Sequence, residues 1–185
     1  MAKICRNCKK KFEPRNSMQI VCSPKCAYEY KSNPKAKEHV KKAKRREYRE
    51  QKIASKTLAT LLKETQKEFN AYIRLRDKDE PCISCGRTDP PSTRAGQWHA
   101  GHYRTVGAHP ELRFTEENCN KECLYCNNFN SDHLEGYRIN LIIKIGLERV
   151  EWLEGYHEPA KWDRQEVIDL KLKYRKLTRD LQSSE

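Results

Sequence analysis

Eight of the nine cysteines stand in pairs with metal-ligand spacing: Cys5-x2-Cys8 with Cys22-x3-Cys26, and Cys82-x2-Cys85 with Cys123-x2-Cys126. Each pair can bend round one ion, and two pairs supply the four thiolates of a tetrahedral zinc. The spacing therefore predicts two structural Zn2+ sites, with free buried thiols or a redox pair as the alternatives for the amino-terminal set. A four-thiolate zinc has no open position and is a poor catalyst. Chemistry must then come from nitrogen and oxygen side chains held between or beside the second two pairs: His99, His102, Asn118, Asn120, Asn127, Asn128, Asn130 and His133. Cys119 is the odd thiol. Its four-residue step from Cys123 would make it an alternative ligand on a helix, and a partly buried free cysteine is the simpler reading.

His102 is the candidate general base. A neutral imidazole accepts a proton from water near physiological pH, provided a neighbouring carbonyl or amide fixes the ring. Asn118 is expected to supply that orienting oxygen without competing for the proton. Asn127, directly after Cys126, is placed to present an amide oxygen to a hard divalent cation near a scissile phosphate. Arg104 and Arg113 are candidates to hold phosphate on the approach path, against the plainer alternative of surface cations.

The elements that must position these groups are legible in part. Pro24 and the residues after it suit the start of a short helix. From Lys31 to Lys52 there are ten basic and three acidic residues. The run Lys41-Lys42-Ala43-Lys44-Arg45-Arg46 reads as a helix-compatible basic arm that binds phosphates without reading bases, or else as a solvated charged linker. Leu58, Leu61, Leu62, Thr65, Phe69, Tyr72 and Ile73 recur at helical spacing and predict an amphipathic helix over 57–76, closed by the charged run to Glu80 and by Pro81. Between the second cysteine pairs, the Asp89-Pro90-Pro91 turn and the length that remains allow a strand pair. Tyr137, Leu141, Ile142 and Ile145 predict a helix broken at Gly146, with Leu147, Val150 and Leu153 carrying its apolar face on and Trp152 covering an adjoining surface. Asp163-x2-Glu166 has capping-box spacing. Val167, Leu170, Tyr174, Leu177 and Leu181 form a heptad-like seam that either docks within the chain or pairs two copies as a homodimer.

Composition sets the outer limits. Only 36% of the 185 residues are hydrophobic and 35% are charged, which favours thin helical parts with local staples over one thick core. Thirty-eight Lys and Arg against 26 Asp and Glu, a formal charge of +12, favour a polyanionic partner. No stretch approaches 18 consecutive apolar residues, and Met1-Ala2-Lys3 leads straight to Cys5. The expectation is therefore a protein of a reducing, intracellular compartment with no membrane partner, where cysteines serve as metal ligands before they serve as disulfides.

The segment Cys82-x2-Cys85, Trp98-x-Ala100-Gly101-His102-Tyr103-Arg104, Leu112-Arg113-Phe114, Asn118, Cys123-x2-Cys126-Asn127, Ser131 and Tyr137-Arg138 resembles the phage lambda NinG (Rap) recombination-protein family, within the wider HNH or ββα-metal endonucleases. The amino-terminal cysteines, the basic run and the carboxy-terminal helices extend the resemblance to nearly the whole chain. It implies a structure-specific DNA endonuclease acting on branched recombination intermediates, Holliday junctions and D-loops among them, with Mg2+ or Mn2+ as the catalytic ion. It also implies phage or host recombination proteins as partners and the cytoplasm of a bacterial host as the location. Carried across, the general base falls on His102, the residue supporting loop and base on Asn118, and the metal-facing residue on Asn127. Two departures stand out. The wider fold often carries an acidic metal ligand immediately before its base, where this chain has Gly101. The family also often has a histidine at the position of Asn120 and an asparagine at that of His133. His99, His133 or another residue would then complete the metal set, or water would occupy more of its positions.

The fold class that follows is α+β: a mostly helical protein with an HNH-like, zinc-stapled nuclease core and a small amino-terminal zinc knuckle. The pieces are a knuckle at 1–30, a basic arm at 31–56 with Lys41, Lys42, Lys44, Arg45 and Arg46 as DNA contacts, a leading helix at 57–81, the core at 82–138, and carboxy-terminal helices at 139–185. A non-catalytic double-zinc DNA-binding protein is the main rival, supported by the missing acid at Gly101. A zinc-stabilised protein-interaction adaptor is the lesser one.

Overall fold

The computed structural model describes residues 2–89, 98–130 and 132–183, so Pro90 and Pro91 of the expected turn, and Ser131, lie outside the described residues. The chain divides into two compact units, Met1–Lys56 and Thr57–Glu185.

In the first unit, two short strands, β1 (Lys3–Ile4) and β2 (Lys11–Phe12), pair antiparallel around the first cysteine pair. Helix α1 (Pro24–Ser32) begins within the second pair and carries Cys26. Ser23 caps it by accepting the Cys26 amide, and Pro24 occupies the first turn, where its missing N–H has no intrahelical partner to lose. Helix α2 (Pro34–Ala54) carries the basic run. Every side chain described along it is exposed, as expected where no apolar stripe recurs. Only Cys5 and Cys26 are buried among the described residues of this unit, so sulfur takes the place of a hydrophobic core.

In the second unit, the helix expected over 57–76 is α3 (Leu58–Arg76), capped by Thr57. Its buried face, Leu61, Thr65, Phe69 and Ile73, steps by four. The seam of the last helix, α7 (Arg164–Ser183), lies along it. Glu64 pairs with Lys171 at 2.6 Å and Glu68 with Arg175 at 2.7 Å, so the two helices run in the same direction. Docking within the chain, one of the two outcomes expected of this seam, is what the fold shows: Leu170, Tyr174 and Leu177 pack with Phe69 and Ile73 of α3, and Thr65 donates to the Val167 carbonyl. The capping box forms as spaced: Asp163 accepts the Gln165 and Glu166 amides, and Glu166 reaches back to the Asp163 amide.

Strands β3 (His99–His102) and β4 (Cys119–Glu122) form an antiparallel hairpin, followed by helix α4 (Leu124–Phe129), which gives a ββα arrangement. Cys119 therefore sits on a strand, correcting the helical placement that its spacing from Cys123 suggested. Helix α5 (His133–Ile145) ends at Gly146, and α6 (Leu147–Glu154) continues from it. Tyr137, Leu141, Val150 and Leu153 from this pair enclose Ile83, Tyr103 and Leu112 in one core, while Phe69, Ile73, Phe114, Cys119 and Tyr174 form another. Trp152, half exposed, stacks against Arg149 and His157. At the end of α3, buried Asp77 accepts from Arg76, Lys144 and the Lys121 amide, which ties α3, α5 and β4 together. No described helix is long and apolar enough to cross a membrane.

Candidate metal centres and active site

Two sets of four sulfurs converge: Cys5, Cys8, Cys22 and Cys26, and Cys82, Cys85, Cys123 and Cys126, each with all sulfurs within 4.8 Å of one another. Cys8–Cys22 and Cys22–Cys26 are 3.6 Å apart and Cys85–Cys123 is 3.9 Å. Sulfurs at the corners of a zinc tetrahedron with bonds of about 2.3 Å would stand about 3.8 Å apart. Both sets fit structural zinc in donor type, number and spacing. Cys119 belongs to neither. It is buried beside Phe69 and Tyr174, and that burial pushes its thiol well above the ordinary range, so it stays protonated.

The hairpin register places Gly101 opposite Asn120 and His102 opposite Cys119. Alternation along β3 then sends His99 and position 101 to one face and His102 to the other. On the His102 face the ring lies 5.9 Å from Phe69, with Nε2 at 3.0 Å from the Arg113 carbonyl oxygen and Nδ1 at 3.6 Å from Cys119 Sγ. A neutral ring that donates from Nε2 to that carbonyl keeps its lone pair on Nδ1. Burial lowers the pKa of His102, which favours the neutral form.

The orienting oxygen is thus the Arg113 carbonyl, and Asn118 acts one step behind it. Fully buried, Asn118 accepts the Arg104 amide at 2.8 Å and donates to the Arg104 and Leu112 carbonyls. These bonds close the loop from which Arg113 reaches the imidazole. The expectation that Asn118 itself holds the ring is corrected accordingly: its side-chain oxygen is engaged by the loop backbone.

Arg113 also lines a cleft with His102, and burial depresses its pKa. Lys63, Lys67 and Arg74 of α3 line the same cleft, although nothing local in the sequence ties them to His102. Their spacing was the available signal, since 63, 67 and 74 fall on one stripe of a helix whose apolar stripe had already been recognised. Arg104 turns to His109, which in turn meets Glu111. Lys41, Lys42, Lys44, Arg45 and Arg46 lie exposed on α2 in the other unit, where Arg46 pairs with Glu50.

On the opposite face of the hairpin, Asn127 of α4 donates its amide hydrogens to Asn128 Oδ1 at 2.7 Å and to His99 Nδ1 at 3.3 Å. Its Oδ1 is left as an acceptor beside Gly101, 3.1 Å from where a Cβ would stand there. An oxygen so presented suits a hard divalent cation. A neutral His99 that accepts at Nδ1 carries its proton on Nε2, so in this arrangement it orients Asn127 rather than offering a free lone pair. His133, the first residue of α5, directs Nδ1 to Glu122 Oε1 at 2.7 Å. Glu122, the acid directly before Cys123, has no metal-ligand spacing of its own in the sequence. It is fully buried at the end of β4.

The bacteriophage lambda NinG protein family description matches residues 1–185. Protein ninG of Escherichia phage lambda is 38% identical, over 97% of this chain and 93% of its own length. Protein ninG of Salmonella phage P22 is 37% identical, and that of Enterobacteria phage H19B 39%, each over 97% of this chain and 94% of its own. No solved structure matches the chain.

Proposed function

Because the chain belongs to the bacteriophage lambda NinG family, we propose that it is a metal-dependent endodeoxyribonuclease that hydrolyses phosphodiester bonds in branched recombination intermediates such as Holliday junctions and D-loops. The preference for branched DNA comes from the family resemblance. The hydrolytic part rests on one observation: a half-buried, carbonyl-oriented imidazole, set in a cleft lined by cationic side chains.

In this reading, neutral His102 takes the proton of an attacking water at Nδ1, in place of the weak contact from the Cys119 S–H, and the Arg113 carbonyl holds the ring through Nε2. Asn118 keeps that carbonyl in place by closing the loop. Lys63, Lys67, Arg74 and Arg113 hold the phosphate backbone against the cleft, and α2 adds contacts that do not read bases. Asn127 Oδ1 would be among the oxygens that hold Mg2+ or Mn2+, which when bound stabilises the charge developing on the phosphoryl group and the departing sugar oxygen.

The deciding assay compares four-way-junction and linear duplex DNA with and without Mg2+ or Mn2+. Metal-dependent cleavage with preference for the junction is the expected result. Tight junction binding with no product across a concentration series would instead favour a double-zinc binding protein, the reading to which the glycine at 101 lends support.

A further inference from the structure

Position 101 has no side chain, yet the space beside it is filled. A Cβ built on Gly101 would stand 1.9 Å from Glu122 Oε2 and 3.0 Å from its Cδ, with Asn127 Oδ1 at 3.1 Å. The Glu122 carboxylate is anchored from one side only: Oε1 accepts from Ser84 Oγ at 2.5 Å and from His133 Nδ1 at 2.7 Å. Its Oε2 is buried and has no hydrogen-bond partner. Asn127 adds no hydrogen there, because its amide nitrogen is directed to His99 and Asn128. Two oxygens bearing lone pairs, one of them on a carboxylate, therefore face one point from β4 and α4. Burying a carboxylate oxygen without a donor or cation is strongly unfavourable, and a hard divalent ion takes oxygen ligands of this kind.

We propose that Glu122 is the carboxylate ligand of the hydrolytic metal, entering from the neighbouring strand into the space that a side chain at position 101 would fill, with Asn127 Oδ1 as its companion. The proposal rests on the nuclease reading for the identity of the ion's task. Gly101 is then required for room: any side chain there collides with the ligand. Ser84 and His133 become positioning residues that fix which carboxylate oxygen faces the ion. Ser84 lies between Cys82 and Cys85, so the structural zinc loop itself sets the geometry of the second metal.

The test is Mn2+ binding to the zinc-loaded full-length chain, read by electron paramagnetic resonance of free Mn2+ or by calorimetry, alongside junction cleavage. Glu122→Gln keeps the volume, and is expected to weaken Mn2+ binding by at least ~10-fold, the lower end of what outer-shell changes alone produce, while zinc content and junction binding stay as in the wild type. His102→Ala is expected to bind Mn2+ normally. Gly101→Asp alone is expected to destabilise the fold, whereas Gly101→Asp combined with Glu122→Ala makes room for a carboxylate from β3 and is expected to recover Mn2+ binding lost in Glu122→Ala. Wild-type-like Mn2+ affinity in Glu122→Gln, with wild-type cleavage intact, would overturn the ligand assignment and leave the nuclease reading standing. Absence of both Mn2+ binding and cleavage in the wild type would overturn the two together.

Discussion

The two zinc knuckles follow one backbone plan and serve different ends. In each, the first cysteine amide donates to the carbonyl five residues on, Lys10 or Arg87, at 2.8 Å, and the residue after the second cysteine returns its amide to the first cysteine carbonyl. That residue has a left-handed φ in both, 63° at Lys9 and 71° at Gly86. The third cysteine amide meets the first sulfur at 3.4 Å in one and 3.3 Å in the other. The difference lies in what is strung between the pairs. Cys8 and Cys22 are 14 positions apart and enclose only the two-residue strand β2 and the loop after it, whereas Cys85 and Cys123 are 38 apart and enclose a strand pair with His99, His102, Asn118 and Glu122. The same staple thus replaces a core in the first unit and clamps the hairpin that carries His99 and His102 to an existing core in the second.

Removing zinc should break the comparison most visibly. Structural zinc binding is worth about 10–16 kcal/mol in small zinc domains. The first unit has almost nothing else buried, while α3 and α7 keep Phe69, Ile73 and Tyr174 packed. With a strong chelator, amide exchange protection over residues 2–23 should vanish while protection in α3 and α7 persists. Simultaneous loss in both would mean that the second zinc carries its whole unit as the first does.

The next largest effect concerns chemistry. His102→Ala should reduce junction cleavage by about 10^2–10^4-fold, as loss of a general base does, while leaving eight thiolates to hold two zincs and leaving junction binding intact. Near-normal, metal-dependent cleavage by the purified variant would remove His102 as the base. The same residue sets a pH signature. Because burial lowers its pKa, the unprotonated form persists further into acid than a free imidazole of about 6.5 would allow. Cleavage should hold as pH falls from 7 to about 6.5 and fail only below. An acidic limb with a midpoint above 6.5 would contradict the burial of this ring.

What was legible in the sequence was local. Cysteine pairs, the apolar stripe of α3, the break at Gly146 and the capping box at Asp163 all depend on residues within a few positions of one another, and periodicity states them directly. The orienting group on His102 escaped because it is a backbone carbonyl, which side-chain type does not reveal. Glu122 escaped because its place depends on strand register and on the empty side of Gly101, neither of which leaves a pattern in β4 alone. For α7 the seam was legible and its occupant was not: heptad spacing shows that an apolar face needs a cover, and only the fold shows that α3 provides it. Cys119 misled for a related reason, since a four-residue step to Cys123 fits a helix until Cys123 turns out to begin one.

The smallest effect sharpens the comparison most finely. If both knuckles need a left-handed residue after the second cysteine, Lys9 bears a conformational cost of about 1–2 kcal/mol that Gly86 does not. A Cβ at Gly86 would meet nothing within 4 Å, so Gly86→Ala tests backbone conformation alone, without a clash. It should destabilise the second knuckle by about 1 kcal/mol, roughly a fivefold loss of zinc affinity in chelator competition. Lys9→Gly should act in the opposite direction on the first, by less than about 1 kcal/mol, because the released strain is partly offset by the greater freedom glycine gives the unfolded chain. Opposite signs at equivalent positions are the outcome that a shared backbone plan requires. A loss of zinc affinity in both variants would show that the Lys9 side chain, whose Nζ donates to the Arg6 carbonyl at 3.2 Å, contributes more to its knuckle than its backbone conformation takes away.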